Sequence, residues 1–149
     1  MNYIFLRPHH INCIYFFEGL GYDEKFTQNM KDIIEKLLKN KLSIKFVKNC
    51  DCLCKYCPNK IDNSCKTEEH IKQLDELTIT NYNLDLNKIY SFQEIYDNYY
   101  KNFDKMKFLN ICQCSLPADK GFRRESASLQ CTSTYLRRAC NTTNNSQFP

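Results

Sequence analysis

The segment Cys54-Lys55-Tyr56-Cys57-Pro58, with Cys65 beyond it, carries the strongest chemical signal in the chain. Two thiolates separated by two residues can grip one metal, because a tight turn brings both sulfurs to one centre and points its amides at them. The proline removes a competing donor and stiffens the exit. The same spacing serves a dithiol redox pair when the first Cys opens a helix after a strand. Pro58, Asn59 and Lys60 do not start a convincing helix, so a metal site leads, with the redox pair and inert thiols as competing readings.

The second signal is Arg7-Pro8-His9-His10-Ile11-Asn12-Cys13. With Pro8 at the first helical position, both histidines fall in the first turn, where the helix dipole favours neutral, metal-binding imidazole. His9 and His10 stand four and three residues before Cys13, and either pair can reach one centre. The competing reading is a histidine pair beside an ordinary buried cysteine. Together the two segments offer Cys13, Cys54, Cys57 and Cys65, with His9 or His10 as substitute or supporting partner. Four such ligands close either a structural zinc site or an iron–sulfur cluster, [4Fe–4S] first among clusters. Cys50 and Cys52 are extra thiols just upstream, and they either compete as ligands or stay free. Cys112 and Cys114 are poorer chelators with one intervening residue. Cys131 and Cys140 read as free.

These groups must be positioned by the elements around them. Tyr3–Leu6 is an apolar run that reads as a strand, and a first helix is expected near residues 8–18, stopped by Gly19 and Gly21. Asp23 caps a second helix whose apolar face is Phe26, Met30, Ile33, Ile34, Leu37 and Leu38. Leu42, Ile44 and Phe46 alternate with polar neighbours, predicting a strand over 42–47. Between Asn49 and Lys66 the apolar pattern stops and five cysteines appear, which reads as a metal-organised loop. Thr67 caps a third helix with Ile71, Leu74 and Leu77 inward. Ser91 and Glu94 make a capping box for a fourth with face Ile95, Tyr99, Phe103 and Met106. The expectation is an α+β fold: a small α-rich domain with a short sheet over residues 1–114, pinned by a Cys/His metal centre, then an irregular or disordered tail over 115–149.

Composition excludes other classes. The 149 residues are 42% hydrophobic with 10 Cys, 3 Gly and no Trp, enough for one packed core. No apolar run approaches a membrane span, and Met1–Leu6 is too short for a secretory signal, so the expected compartment is a reducing cytoplasm where clustered thiols serve metals or redox chemistry. The net charge of +4 is misleading for a nucleic-acid binder, since residues 1–120 hold sixteen Lys and one Arg against sixteen acids. Most of the excess sits beyond them, in Arg123, Arg124, Arg137 and Arg138, so no nucleic-acid partner is expected. No catalytic triad, phosphate-binding loop or paired-carboxylate site is recognisable.

The run Leu6-Arg7-Pro8-His9-His10-x-x-Cys13, then Gly19-x-Gly21-Tyr22, then Cys54-x-x-Cys57-Pro58-Asn59 and Cys65, resembles the bacterial and archaeal family called domain of unknown function 1284. The likeness covers roughly residues 4–112. The resemblance implies an iron–sulfur cluster on these cysteines, and the expected function is a small cytosolic iron–sulfur protein for electron transfer or sensing, with a redox or regulatory protein as partner. A structural zinc module for protein interaction is the alternative, and a thiol–disulfide oxidoreductase using Cys54 and Cys57, with Cys65 as resolving thiol, the second. The family tends to carry an acidic pair before the first Cys of the motif, where Asp51 is here followed by Cys52. It also ends in a Cys-x-x-Cys-x-Trp element, where this chain has Cys112-Gln113-Cys114. Together with the compositional break, that departure raises a non-native reading frame after about Gln113.

Overall fold

A computed structural model describes residues 2–17, 19, 21–104, 106–108 and 111. The tail over 115–149 and Cys112, Cys114, Cys131 and Cys140 lie outside these residues. β1 (Tyr3–Leu6) runs parallel to β2 (Ser43–Phe46), pairing Tyr3 with Ser43 and Leu6 with Phe46. Parallel neighbours need a long crossover, supplied by α1 (His10–Phe16) and α2 (Glu24–Leu38). β5 (Ile89–Ser91) pairs antiparallel with β2 and completes a sheet in the order β1-β2-β5. A separate two-stranded hairpin joins β3 (Lys60–Ile61) to β4 (Ser64–Cys65), and α3 (Glu68–Tyr82) follows it. The α+β, helix-rich class expected from the sequence is the one observed.

The elements form for local reasons. Asp23 accepts a hydrogen bond from the Phe26 amide at 2.8 Å and so caps α2. The inward face of that helix, Phe26, Met30, Ile33, Ile34 and Leu37, is buried as its spacing predicts, while Leu38 is 47% exposed. Ile44 and Phe46 of β2 are buried and their neighbours are not, giving the expected one-faced strand. Ser91 and Glu94 form the reciprocal capping box, with the Glu94 amide donating to Ser91 Oγ and the Ser91 amide to Glu94 Oε2.

Several expectations need revision. Thr67 precedes α3, but its side chain makes no capping hydrogen bond. The first helix is shorter than 8–18: Pro8 and His9 lie in a turn before it, and an extended Phe17 ends it. The loop over Asn49–Lys66 has structure of its own, a 3-10 turn at Leu53–Tyr56 and the β3–β4 hairpin. The fourth helix α4 (Phe92–Ile95) passes into a π-turn at Tyr96–Tyr100, closed by the Lys101 amide on the Tyr96 carbonyl at 2.8 Å. The wider turn adds a residue and shifts the inward face. Tyr99 and Tyr100 are both buried as a result, and Met106 is 67% exposed instead of facing the core. Among the described residues no helix is long and apolar enough to cross a membrane.

The core gathers Leu6, Ile11, Ile14, Met30, Leu37, Ile44, Leu53 and Ile95, with Phe108 and Ile111 joining it. Each such side chain contributes roughly 1.5–3 kcal/mol through burial. Its consequence for the site is placement: α1 is buried along its whole length, so the two histidines at its start are held from behind by packed apolar residues.

Candidate metal centre

The end of β1 and the cysteine loop meet. The Val47 amide donates to the Leu6 carbonyl, and the Cys52 amide approaches the Phe5 carbonyl at 3.5 Å, so the loop leaving β2 folds across the strand that delivers Arg7-Pro8-His9-His10. Between them lies a half-open cavity of about 40 Å³. Its walls include His9, His10, Cys54, Cys57 and Cys65, with Arg7, Tyr22 and Phe26 around them. Five of the residues singled out from the sequence therefore share one cavity.

Two buried carboxylates orient the two histidines. His10 Nδ1 lies 2.6 Å from Asp51 Oδ2, and His9 Nδ1 lies 2.6 Å from Asp75 Oδ1. An ionised carboxylate only accepts, so a neutral imidazole in either pair carries its proton on Nδ1 and its lone pair on Nε2. This is the arrangement by which proteins prepare histidines as metal ligands. Burial, and then the neighbouring His10, push the His9 pKa down to about 4, which keeps that ring neutral at pH 7 despite the opposing pull of Asp75. The rings sit beside one another, with centroids 4.2 Å apart.

Asp51 also organises the thiols. Oδ2 accepts from the Arg7 amide at 2.5 Å, and Oδ1 accepts from the amides of Leu53 at 2.8 Å and Cys54 at 3.2 Å. One carboxylate thus ties His10, the end of β1 and the turn carrying Cys54 together. Burial opposes its ionisation, but the His10 ring and the Arg7 amide outweigh this and hold its pKa at about 2.

Arg7 connects the remaining members. Its side chain is 1% exposed. Nε donates to Asp75 Oδ2 at 2.8 Å, and the guanidinium spans Glu68 at 3.1 and 3.2 Å. Glu68 Oε2 in turn accepts from the Cys65 amide at 3.0 Å, and Cys65 Sγ lies 3.6 Å from the Thr67 hydroxyl. Burial works against the Arg7 charge, yet Glu68 and Asp75 raise its pKa above the ordinary value, and Arg7 in return helps hold both carboxyls below theirs. A desolvated guanidinium is tolerable only with such partners.

Other cysteines are placed differently. Cys13 is 7% exposed within the apolar core and does not line the cavity. Cys52 packs against the core, and burial together with Asp51 pushes its thiol up to about 12. Burial and then Asp51 also push the Cys54 thiol well above its ordinary value, the reverse of the low pKa that activates a dithiol redox pair.

One trio of ligand atoms among the described residues lies within 4.8 Å of each other, contributed by His10, Asp51 and Cys54. It is a group able to hold a metal ion, although every oxygen of Asp51 already accepts two hydrogen bonds. Asp51, Glu68 and Asp75 were not among the residues singled out from the sequence. Their only local mark is Asp51 inside the cysteine cluster, since Glu68 and Asp75 lie more than sixty positions from Arg7 and look like ordinary residues of a helix.

No curated protein and no solved structure matches the chain. A family model does match, over residues 21–116, described as "Protein of unknown function (DUF1284)". That span begins after the Leu6–Cys13 segment and includes Cys54, Cys57 and Cys65. With more than half of its residues inside the match, and the motifs of the cysteine loop falling within it, the chain belongs to the domain of unknown function 1284 family.

Proposed function

We propose that this protein is a cytoplasmic metal-binding protein that holds an iron–sulfur centre on Cys54, Cys57 and Cys65, with His10 or His9 completing the set in place of Cys13. The observation that carries the reading is the shared cavity: three thiols and two carboxylate-oriented imidazoles line it together. Thiolate and imidazole donors suit iron–sulfur clusters and zinc, and do not suit hard cations such as magnesium.

Three thiols against two imidazoles make a sulfur-rich donor set, and thiolates are the usual ligands of iron–sulfur clusters. Such a centre supplies one-electron transfer, serving redox exchange or sensing with a protein partner. The chain's own residues orient the imidazoles through Asp51 and Asp75, present the Cys54 and Cys65 amides to fixed carboxylates, and keep the back of the site dry.

A zinc module is the second reading, and the His10–Asp51–Cys54 trio favours it. Purification without oxygen separates the two. The iron–sulfur reading expects a brown protein containing iron and acid-labile sulfide, with visible absorption that fades on reduction. A colourless protein carrying one zinc per chain overturns it.

A further inference from the structure

The rim of the cavity differs in charge from the rest of the body. Lys55, Lys60 and Lys66 are exposed, and each is the chain neighbour of a residue that lines the cavity: Cys54, Asn59 and Cys65. The backbone fixes them there. The Lys60 amide donates to the Cys57 carbonyl at 3.1 Å, the Lys66 amide donates to the Asn59 carbonyl at 2.7 Å, and Lys60 stands opposite Cys65 in the β3–β4 ladder. Among the described residues none of the three is in an ion pair, whereas the exposed Lys39, Lys48 and Lys88 each hold a glutamate. The exposed acids beside them are Asp62 at the hairpin turn and Glu69 on α3, because Glu68 is engaged by Arg7. Residues 52–67 thus hold three lysines against one acid, while residues 1–120 as a whole are almost balanced.

Apolar groups share this rim. Of the seven large apolar side chains exposed among the described residues, Tyr22 lines the cavity, and Tyr56 and Ile61 belong to its loop at 41% and 52% exposure. Lys55 Nζ lies 5.1 Å from the Tyr56 ring centroid, so a cation and an aromatic face are presented together. Apolar contacts among unpaired like charges, beside a half-open cavity, match a small protein interface. A nucleic-acid site needs a longer basic stripe than three lysines.

We propose that this rim docks an acidic electron-carrier protein: carboxylates of the partner face Lys55, Lys60 and Lys66, and its apolar patch covers Tyr56 and Ile61. The choice of an electron carrier rests on the redox role proposed above, while the docking face itself rests on charge and exposure. Steering by unpaired cations speeds association more than it tightens the complex, and salt weakens it. The contact is small and transient, as exchange with a mobile carrier requires.

The test uses the full chain purified without oxygen and two acidic carriers as probes, a flavodoxin and a plant-type ferredoxin. Surface plasmon resonance gives Kd, and a carbodiimide, which joins a lysine directly to a carboxylate, marks the contact for mass spectrometry. The expected result is a Kd that rises about tenfold between about 0.05 M and about 0.3 M salt, with cross-links at Lys55, Lys60 or Lys66. The triple variant Lys55→Glu, Lys60→Glu, Lys66→Glu should keep the wild-type circular dichroism and raise Kd at least about tenfold at low salt. The triple Lys36→Glu, Lys41→Glu, Lys101→Glu changes the net charge equally at exposed sites elsewhere and should bind as the wild type does. Ile61→Ser should raise Kd with its salt dependence unchanged, because it removes no charge. Binding to neither carrier, equal losses in the two triples, or cross-links only at other lysines overturns the proposal. So does tighter binding to poly(U) RNA or to phosphatidylserine vesicles than to either carrier. A metal-free chain that docks as described sinks the iron–sulfur reading and leaves the docking face standing. A brown, reducible chain that binds neither carrier sinks the docking face alone.

Discussion

Replacing Asp51 by Asn tests whether one carboxylate holds the site together. The side chain keeps its shape but exchanges one accepting oxygen for a donating amide. If the remaining oxygen keeps the Leu53 and Cys54 amides, the new amide faces the Arg7 N–H that Asp51 now accepts at 2.5 Å. One charge-assisted bond is lost and a buried backbone donor is stranded, which costs roughly 3 kcal/mol. His10 also changes. Its Nδ1, 2.6 Å from Asp51, must now accept instead of donate, which moves the ring proton to Nε2 and removes the lone pair a metal needs. Losing such a supporting partner typically lowers metal affinity about 10–100-fold. Urea unfolding of the chelator-treated full chain reads the first effect. With a slope of about 1.5 kcal/mol/M, the midpoint should fall by about 2 M. Competition with a chromophoric chelator reads the second. A midpoint within about 0.3 M of wild type, with unchanged metal retention, refutes the assignment of Asp51 as the organiser.

Other perturbations follow from the same geometry. The stability of the metal-free protein should fall as pH drops from 7 to 5: His9 has a folded pKa of about 4 against 6.5 unfolded, so the unfolded state takes the proton first. That contributes about 2 kcal/mol by pH 5 and nearer 3 by pH 4, and Asp51, held at about 2, adds its loss only below pH 4. A urea midpoint that stays level between pH 7 and pH 5 contradicts the buried neutral His9. Arg7→Lys keeps the charge but not the fork that spans Asp75 and Glu68, and should cost roughly 2–4 kcal/mol, somewhat below the loss from deleting a buried ionic partner. Thermal unfolding checks it, and a change under about 1 °C argues against the hub. Gly21→Ala puts a methyl 2.6 Å from Phe26 Cδ1 and 2.7 Å from Thr27 Oγ1, too close for either to stay in place. Because Phe26 lines the cavity, the variant should lose roughly 1–3 kcal/mol and some metal affinity, whereas wild-type values for both indicate that the start of α2 moves without cost.

The sequence by itself determined the local features of this protein. The periodicity of α2, the Asp23 cap, the alternation in β2 and the Ser91–Glu94 box each depend on residues within a turn or two of one another, and each formed as its pattern required. The grouping of His9, His10, Cys54, Cys57 and Cys65 was also legible, because thiols and imidazoles at chelating spacing are rare enough to stand out. The π-turn at Tyr96–Tyr100 was not, since two adjacent buried tyrosines do not fit a regular helix face, and it is their packing, with Tyr100 Oη donating to the Ile11 carbonyl at 2.7 Å, that accompanies the extra residue. Cys13 shows the same limit: its spacing from His9 and His10 suited a ligand, but burial along the whole of α1 set it against the core. Only tertiary structure decided which acids matter. Asp51, Glu68 and Asp75 resemble the other carboxylates until the chain brings them to a desolvated arginine and two imidazoles, where a charge that water would have screened becomes the element that orders the site.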